Sequence, residues 1–199
     1  MTPRMGRRQF LVRAGLTSIA TATLLEASTA TAVAAGPRVS FRLVSNSRTS
    51  TVGGIRHLAQ LNGEGIIVDS EVVGGGTFNH VLDTSPVPKT ILASGTWKAR
   101  RLLEFHLIGT YGAIAAGMTT LEIDLVPRGE PVRVAVLEVV CNLGAAGLFT
   151  GEEEGFVLSI PGTPFTSGGT FGPFEPFVPV AGGPTQGLSV FNLLNEHRD

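Results

Sequence analysis

The chain has 199 residues, of which 26 are Gly and 12 are Pro, so about a fifth of its positions favour turns. That excess excludes a helical bundle without reaching the level of a disordered or collagen-like chain, and a 43 % hydrophobic content suffices for one core of ordinary domain size. The formal net charge is −1, and residues 36–199 carry 11 basic against 15 acidic groups, which leaves no basic footprint for nucleic acid.

The first 35 residues read as an export signal. Arg7 and Arg8 are followed by Phe10 and Leu11, then by a mildly apolar stretch from Ala14 to Leu25 and by the small residues Ala32-Val33-Ala34. This succession resembles the twin-arginine translocation signal. Gly6 stands where that signal usually has a hydroxyl residue, and Val12 stands where it usually has Lys. The resemblance implies cleavage before Ala35, a prokaryotic source, contact with the twin-arginine export machinery, and a periplasmic or extracellular protein exported already folded. Glu26 and the interspersed Thr and Ser residues argue against a spanning helix, which needs about 20 apolar residues, so no stable membrane anchor is expected after cleavage. Cys141 is the sole cysteine, so no internal disulfide forms, and its apolar neighbours Val139 and Val140 make it a buried small hydrophobe.

Residues 36–199 read as one domain of strands and turns. Val39, Phe41 and Leu43 alternate with polar neighbours and define the first strand. Ile55–Leu61 and Gly65–Val73 read as a hairpin around Asn62-Gly63, since a tight hairpin turn favours Asn-Gly. Gly74-Gly75-Gly76 reads as a break before Thr77–Leu82. After the loop around Pro86 and Pro88, residues 91–108 read as extended, with Leu102-Leu103 disturbing the alternation as a β-bulge would. Gly109–Gly112 is a predicted turn, and Ala113–Met118 is a candidate short helix. Leu121, Ile123 and Leu125 form the inner face of the next strand. Val132–Cys141 is apolar on both faces, as in a central strand covered on both sides. Phe156–Ile160 and Leu188–Leu194 complete a count of about nine strands. Short strands with regular Gly and Pro turns predict an all-β fold, a single antiparallel β-barrel or β-sandwich; lipocalin and dirigent-type barrels are architectural analogies that carry no function.

Residues 160–184 stand apart. Phe165, Phe171, Phe174 and Phe177 lie among closely spaced prolines, which cannot donate to a sheet ladder. These aromatics either cap the core or form the wall of a ligand mouth, so Phe171, Phe174 and Phe177 are candidate ligand contacts, with Trp97 as a candidate sugar-stacking platform beside its plainer reading as core.

No nucleophile elbow, zinc-protease motif, phosphate loop or dinucleotide fingerprint occurs, and no cofactor is indicated. Glu104 and His106 share one strand face and suit proton transfer or metal binding, which His57 and His80 would join if the fold brought them together. Glu122 and Asp124 share a face as paired carboxylates do in acid–base catalysis, although cross-strand ion pairs with Arg100 or Arg133 account for them equally. Three functions stay open. The first is an exported, non-catalytic protein binding a small apolar ligand or a cell-surface component. The others are a secreted barrel enzyme, metal-dependent or isomerase-like, that uses these His and Glu residues, and a structural surface protein.

Overall fold

A computed structural model describes residues 38–49, 56–85, 87–144, 147, 151–160, 176–179 and 187–194. The signal residues Arg7, Arg8, Phe10 and Leu11 lie outside the described residues, as do Phe165, Phe171 and Phe174. The strands are β1 (Val39–Arg48), β2 (His57–Val68), β3 (Glu71–Leu82), β4 (Thr90–Tyr111), β5 (Ile114–Pro127), β6 (Arg133–Cys141), β7 (Gly155–Ser159), β8 (Val178–Pro179) and β9 (Gly187–Leu193). Among the described residues there is no α-helix, and hence none long and apolar enough to cross a membrane.

The nine described strands form one antiparallel sheet, eight of them in the order β4-β3-β2-β1-β9-β5-β6-β7 and β8 paired with β1 off this path. β4 also pairs with β5, so six strands close into a ring. β9 provides the rung between β1 and β5, pairing Phe41 with Phe191 on one side and Phe191 with Ala115 on the other. Further along β1, β8 takes over the same edge, setting Ser47 opposite Pro179 and Arg48 opposite Val178. Phe177 in turn exchanges two backbone hydrogen bonds of 3.0 Å with Leu158 of β7.

Alternating residues point into one core. Phe41, Leu43, Leu61, Trp97, Leu121, Ile123, Leu125, Leu137, Phe156 and Phe191 are buried in it. The alternation predicted for β1 and β5 is the alternation observed. On β6 the expectation of two covered faces holds only at the end of the strand: Ala135, Leu137 and Val139 are buried on one face, whereas the opposite face runs from Val134, 40 % exposed, to the buried Val140.

The glycine-rich stretch also departs from expectation. Asn62-Gly63 is not a turn and Gly74-Gly75-Gly76 is not a break; both lie inside the paired β2–β3 ladder, and the chain reverses at Asp69-Ser70, where Asp69 has φ 54°. The reason is steric. A Cβ on Gly63 would lie 2.4 Å from Cζ2 of Trp97, and one on Gly65 would lie 2.6 Å from Cε1 of Phe41. These glycines form a flat bed under two large rings, a use of Gly that a turn signal imitates. The predicted helix at Ala113–Met118 is the start of β5, with Ala115 and Ala116 buried, and the turn before it narrows to Gly112-Ala113. The bulge expected at Leu102-Leu103 is present: the β4–β5 register skips between Leu102 and Glu104.

Candidate functional site

Register places chemistry at three locations. On the outer face, antiparallel pairing aligns Asn46 of β1 with Gln60 of β2, and Gln60 with Asn79 of β3. The adjoining row aligns Val44, Asn62 and Thr77. Neighbouring strands lie about 4.8 Å apart, so four carboxamides and a hydroxyl occupy one small area. They line a cleft of about 450 Å³ with Gly187 of β9 at its side. None of the described lining residues is ionisable. A second cleft of about 550 Å³ lies alongside, sharing Val44 and Gly187; its floor is largely apolar through Leu188 and Val190, with Arg42 and Asn192 also among its lining residues. Each carboxamide offers two donors and an acceptor, so this surface suits a neutral ligand rich in hydroxyl groups.

The second location is the polar end of the core. There the inward residues of β1 switch from Val39, Phe41 and Leu43 to the buried Ser45 and Ser47, followed just past the strand by the buried Thr49. Two of the three predicted histidines meet: His57 Nδ1 lies 2.8 Å from His80 Nε2. His80 is buried and touched edge-on by Phe177, their ring centroids 5.6 Å apart. One nitrogen of the contact must carry the proton and the other accept it. Burial holds His57 below the ordinary histidine range, which favours the neutral ring this contact needs. Beside the pair, the buried Asp83 carboxylate gathers Arg56 Nε at 2.7 Å, Arg48 Nε at 3.0 Å and Lys89 Nζ at 3.3 Å. Burial raises the Asp83 pKa, but the hydrogen bonds from Arg56 and Lys89 and the charge of Arg48 outweigh it, so the carboxyl titrates below its usual range. The cluster clips together the end of β1, the start of β2 and the β3–β4 loop.

His106 does not join the other histidines. Its Nε2 lies 2.6 Å from Glu104 Oε1 on an exposed part of β4. Glu122 and Asp124 face Arg100, each at 3.6 Å, and Glu122 also meets Arg101 at 3.3 Å. These are the cross-strand ion pairs the sequence allows, with Arg101 rather than Arg133 as the second cation. Trp97 is 2 % exposed, and its indole N–H donates to the Asn62 carbonyl at 3.3 Å, so its face lies against the Gly bed rather than a ligand. Phe177 is likewise in the core. Among the described residues no group of three or more His, Cys, Asp or Glu side chains is placed to hold a metal ion.

Sequence reasoning missed two features. The carboxamides of positions 46, 60, 62 and 79 carry no spacing signal and become neighbours only through register. Glu154 accepts backbone hydrogen bonds from Asn142 at 2.9 Å and Ser189 at 3.0 Å, tying the loop after β6 to β9.

Compared with known proteins, the chain matches no family model, no curated protein and no solved structure.

Proposed function

We propose that this is an exported, single-domain β-barrel protein that binds a neutral, amphiphilic component of the cell surface on its outer face. The observation that carries the reading is the carboxamide row of Asn46, Gln60 and Asn79 with Asn62 and Thr77 beside it. Sugar hydroxyls both donate and accept, as carboxamides do, and the absence of ionisable groups among the described lining residues of the first cleft favours an uncharged head. The contiguous floor of Val44, Leu188 and Val190 suits a hydrocarbon portion. Export rests on the resemblance of residues 1–35 to a twin-arginine signal. Barrel closure rests on the six-strand ring.

Calorimetric titration with octyl glucoside, methyl glucoside and octanoate tests this. Octyl glucoside should bind more tightly than either fragment. Gln60→Leu and Asn62→Leu should each weaken it by roughly tenfold, the worth of one or two lost hydrogen bonds. Equal binding of octanoate and octyl glucoside, or no binding of the glucoside, would overturn the reading.

The His57–His80 contact favours proton-transfer catalysis as a second reading. It ranks below the first because neither cleft has His57 or His80 among its described lining residues.

A further inference from the structure

We propose that the protein forms a two-fold dimer by pairing the second half of β4 with the same segment of a second copy. This stands apart from the ligand reading and rests on different residues. β4 is hydrogen-bonded to β5 from Gly95 to Tyr111, but its other edge is covered by β3 only over Thr90–Lys98. From Ala99 to Tyr111 that edge meets no strand among the described residues. An uncovered strand edge is a template for another strand.

This segment is also unusually apolar for a surface. Leu103, Leu107 and Tyr111 are 43 %, 40 % and 72 % exposed. Its sequence is self-complementary. Antiparallel pairing about a two-fold axis at Phe105 sets Glu104 opposite His106, Leu103 opposite Leu107 and Leu102 opposite Ile108, each pair occurring twice by symmetry. Charges on an edge normally repel further strands; about this axis they are complementary. Bulges narrow the choice of register. The ladder with β5 skips at Arg100, Leu103 and Ile108, leaving Glu104–Leu107 as the regular stretch, and that stretch contains the axis. A second copy is therefore the occupant the edge fits: it brings carboxylate to imidazole within the longest regular stretch of the uncovered edge, and leucine to leucine at the border of that stretch.

The test is sedimentation equilibrium of the purified protein and two variants. The wild type should dimerise reversibly. His106→Glu places four carboxylates around the axis and should raise the dissociation constant by roughly tenfold or more, since like charges directly opposite each other are destabilising. The double exchange Glu104→His with His106→Glu restores the opposite pairs and should bring the constant back to near the wild-type value. Both side chains are largely exposed, 60 % and 59 %, so each variant should unfold at the wild-type temperature, which circular dichroism checks. A wild type that stays monomeric at the highest attainable concentration would overturn the proposal, whatever covers the edge instead. So would a dimer indifferent to His106→Glu, or one that the double exchange fails to rescue.

Discussion

Replacing Gly63 by Ala sets two physical effects against each other. The backbone at Gly63 is ordinary strand, so Ala would lower the entropy of the unfolded chain and should stabilise by about 0.5–1 kcal/mol if space allowed. Space does not allow it. The new methyl carbon would lie 2.4 Å from Cζ2 and 2.9 Å from Cε2 of Trp97, and 2.6 Å from the Gly75 carbonyl oxygen. Carbon atoms pack at about 3.5–4.0 Å, and an indole only 2 % exposed has little room to retreat. Overpacking of this kind costs about 1–3 kcal/mol. The net expectation is a loss of about 1–2 kcal/mol, or a melting temperature lower by about 2–8 °C for a domain of this size. Urea and thermal unfolding followed by far-ultraviolet circular dichroism would measure it. In a Trp97→Leu background two of the three close contacts disappear, so the cost of the Ala should fall by about half, a coupling that a double-mutant cycle reads directly. A Gly63→Ala variant as stable as the parent would refute the account of the glycine bed and restore backbone propensity as the deciding factor.

Two further outcomes follow from the buried ionisable groups. The Asp83 carboxyl has a lowered pKa in the folded state, so its contribution to stability is present above the unfolded value of about 3.9 and lost as pH falls through the folded value. Asp83→Asn should cost about 2 kcal/mol at neutral pH, less than the roughly 3–5 kcal/mol of a fully buried broken pair because its cations keep contact with water; urea midpoints of wild type and variant should converge below about pH 4. A gap that persisted unchanged into acid would contradict the assignment. Cys141 donates its thiol proton to the Ala115 carbonyl at 3.3 Å, and burial pushes its pKa up. A chromogenic disulfide reagent at mildly alkaline pH should therefore react with the native protein only as fast as it opens, and at once in urea; rapid labelling of the native state would place the thiol at the surface.

The sequence reveals the strands wherever side chains alternate against one core, as in β1 and β5, and even the bulge at Leu102-Leu103, because two adjacent leucines cannot both face inward. It misleads at Asn62-Gly63 and Gly74–Gly76. A glycine excluded from carrying a side chain by a ring from another strand has the same letter as a glycine chosen for a turn, and Trp97 and Phe41 are 34 and 24 residues away from the Gly63 and Gly65 they cover. The site is less legible than the fold for a related reason. Asn46, Gln60 and Asn79 each look like ordinary outward polar residues, and only pairing across three strands makes them a surface. His57 and His80 could be singled out by type, but their contact depends on the β2–β3 register, which places His80 opposite Ala59, two residues beyond His57.

The closure of the ring orders events in time. Of the described strands β1 is the first to leave the ribosome and β9 the last, yet Val39–Ser45 pairs with Gly187–Leu193. At a synthesis rate of about 5–20 residues per second, β1 waits many seconds for its partner while β1–β4 assemble locally as successive hairpins. During that interval one edge of β1 and the Ile114–Ala115 start of β5 stay open, and contacts of such long sequence separation are slow to form. Closure of the ring thus waits until β9 has been made. On the export route proposed above, which carries folded cargo, the last few strand residues act as the release certificate for the whole domain.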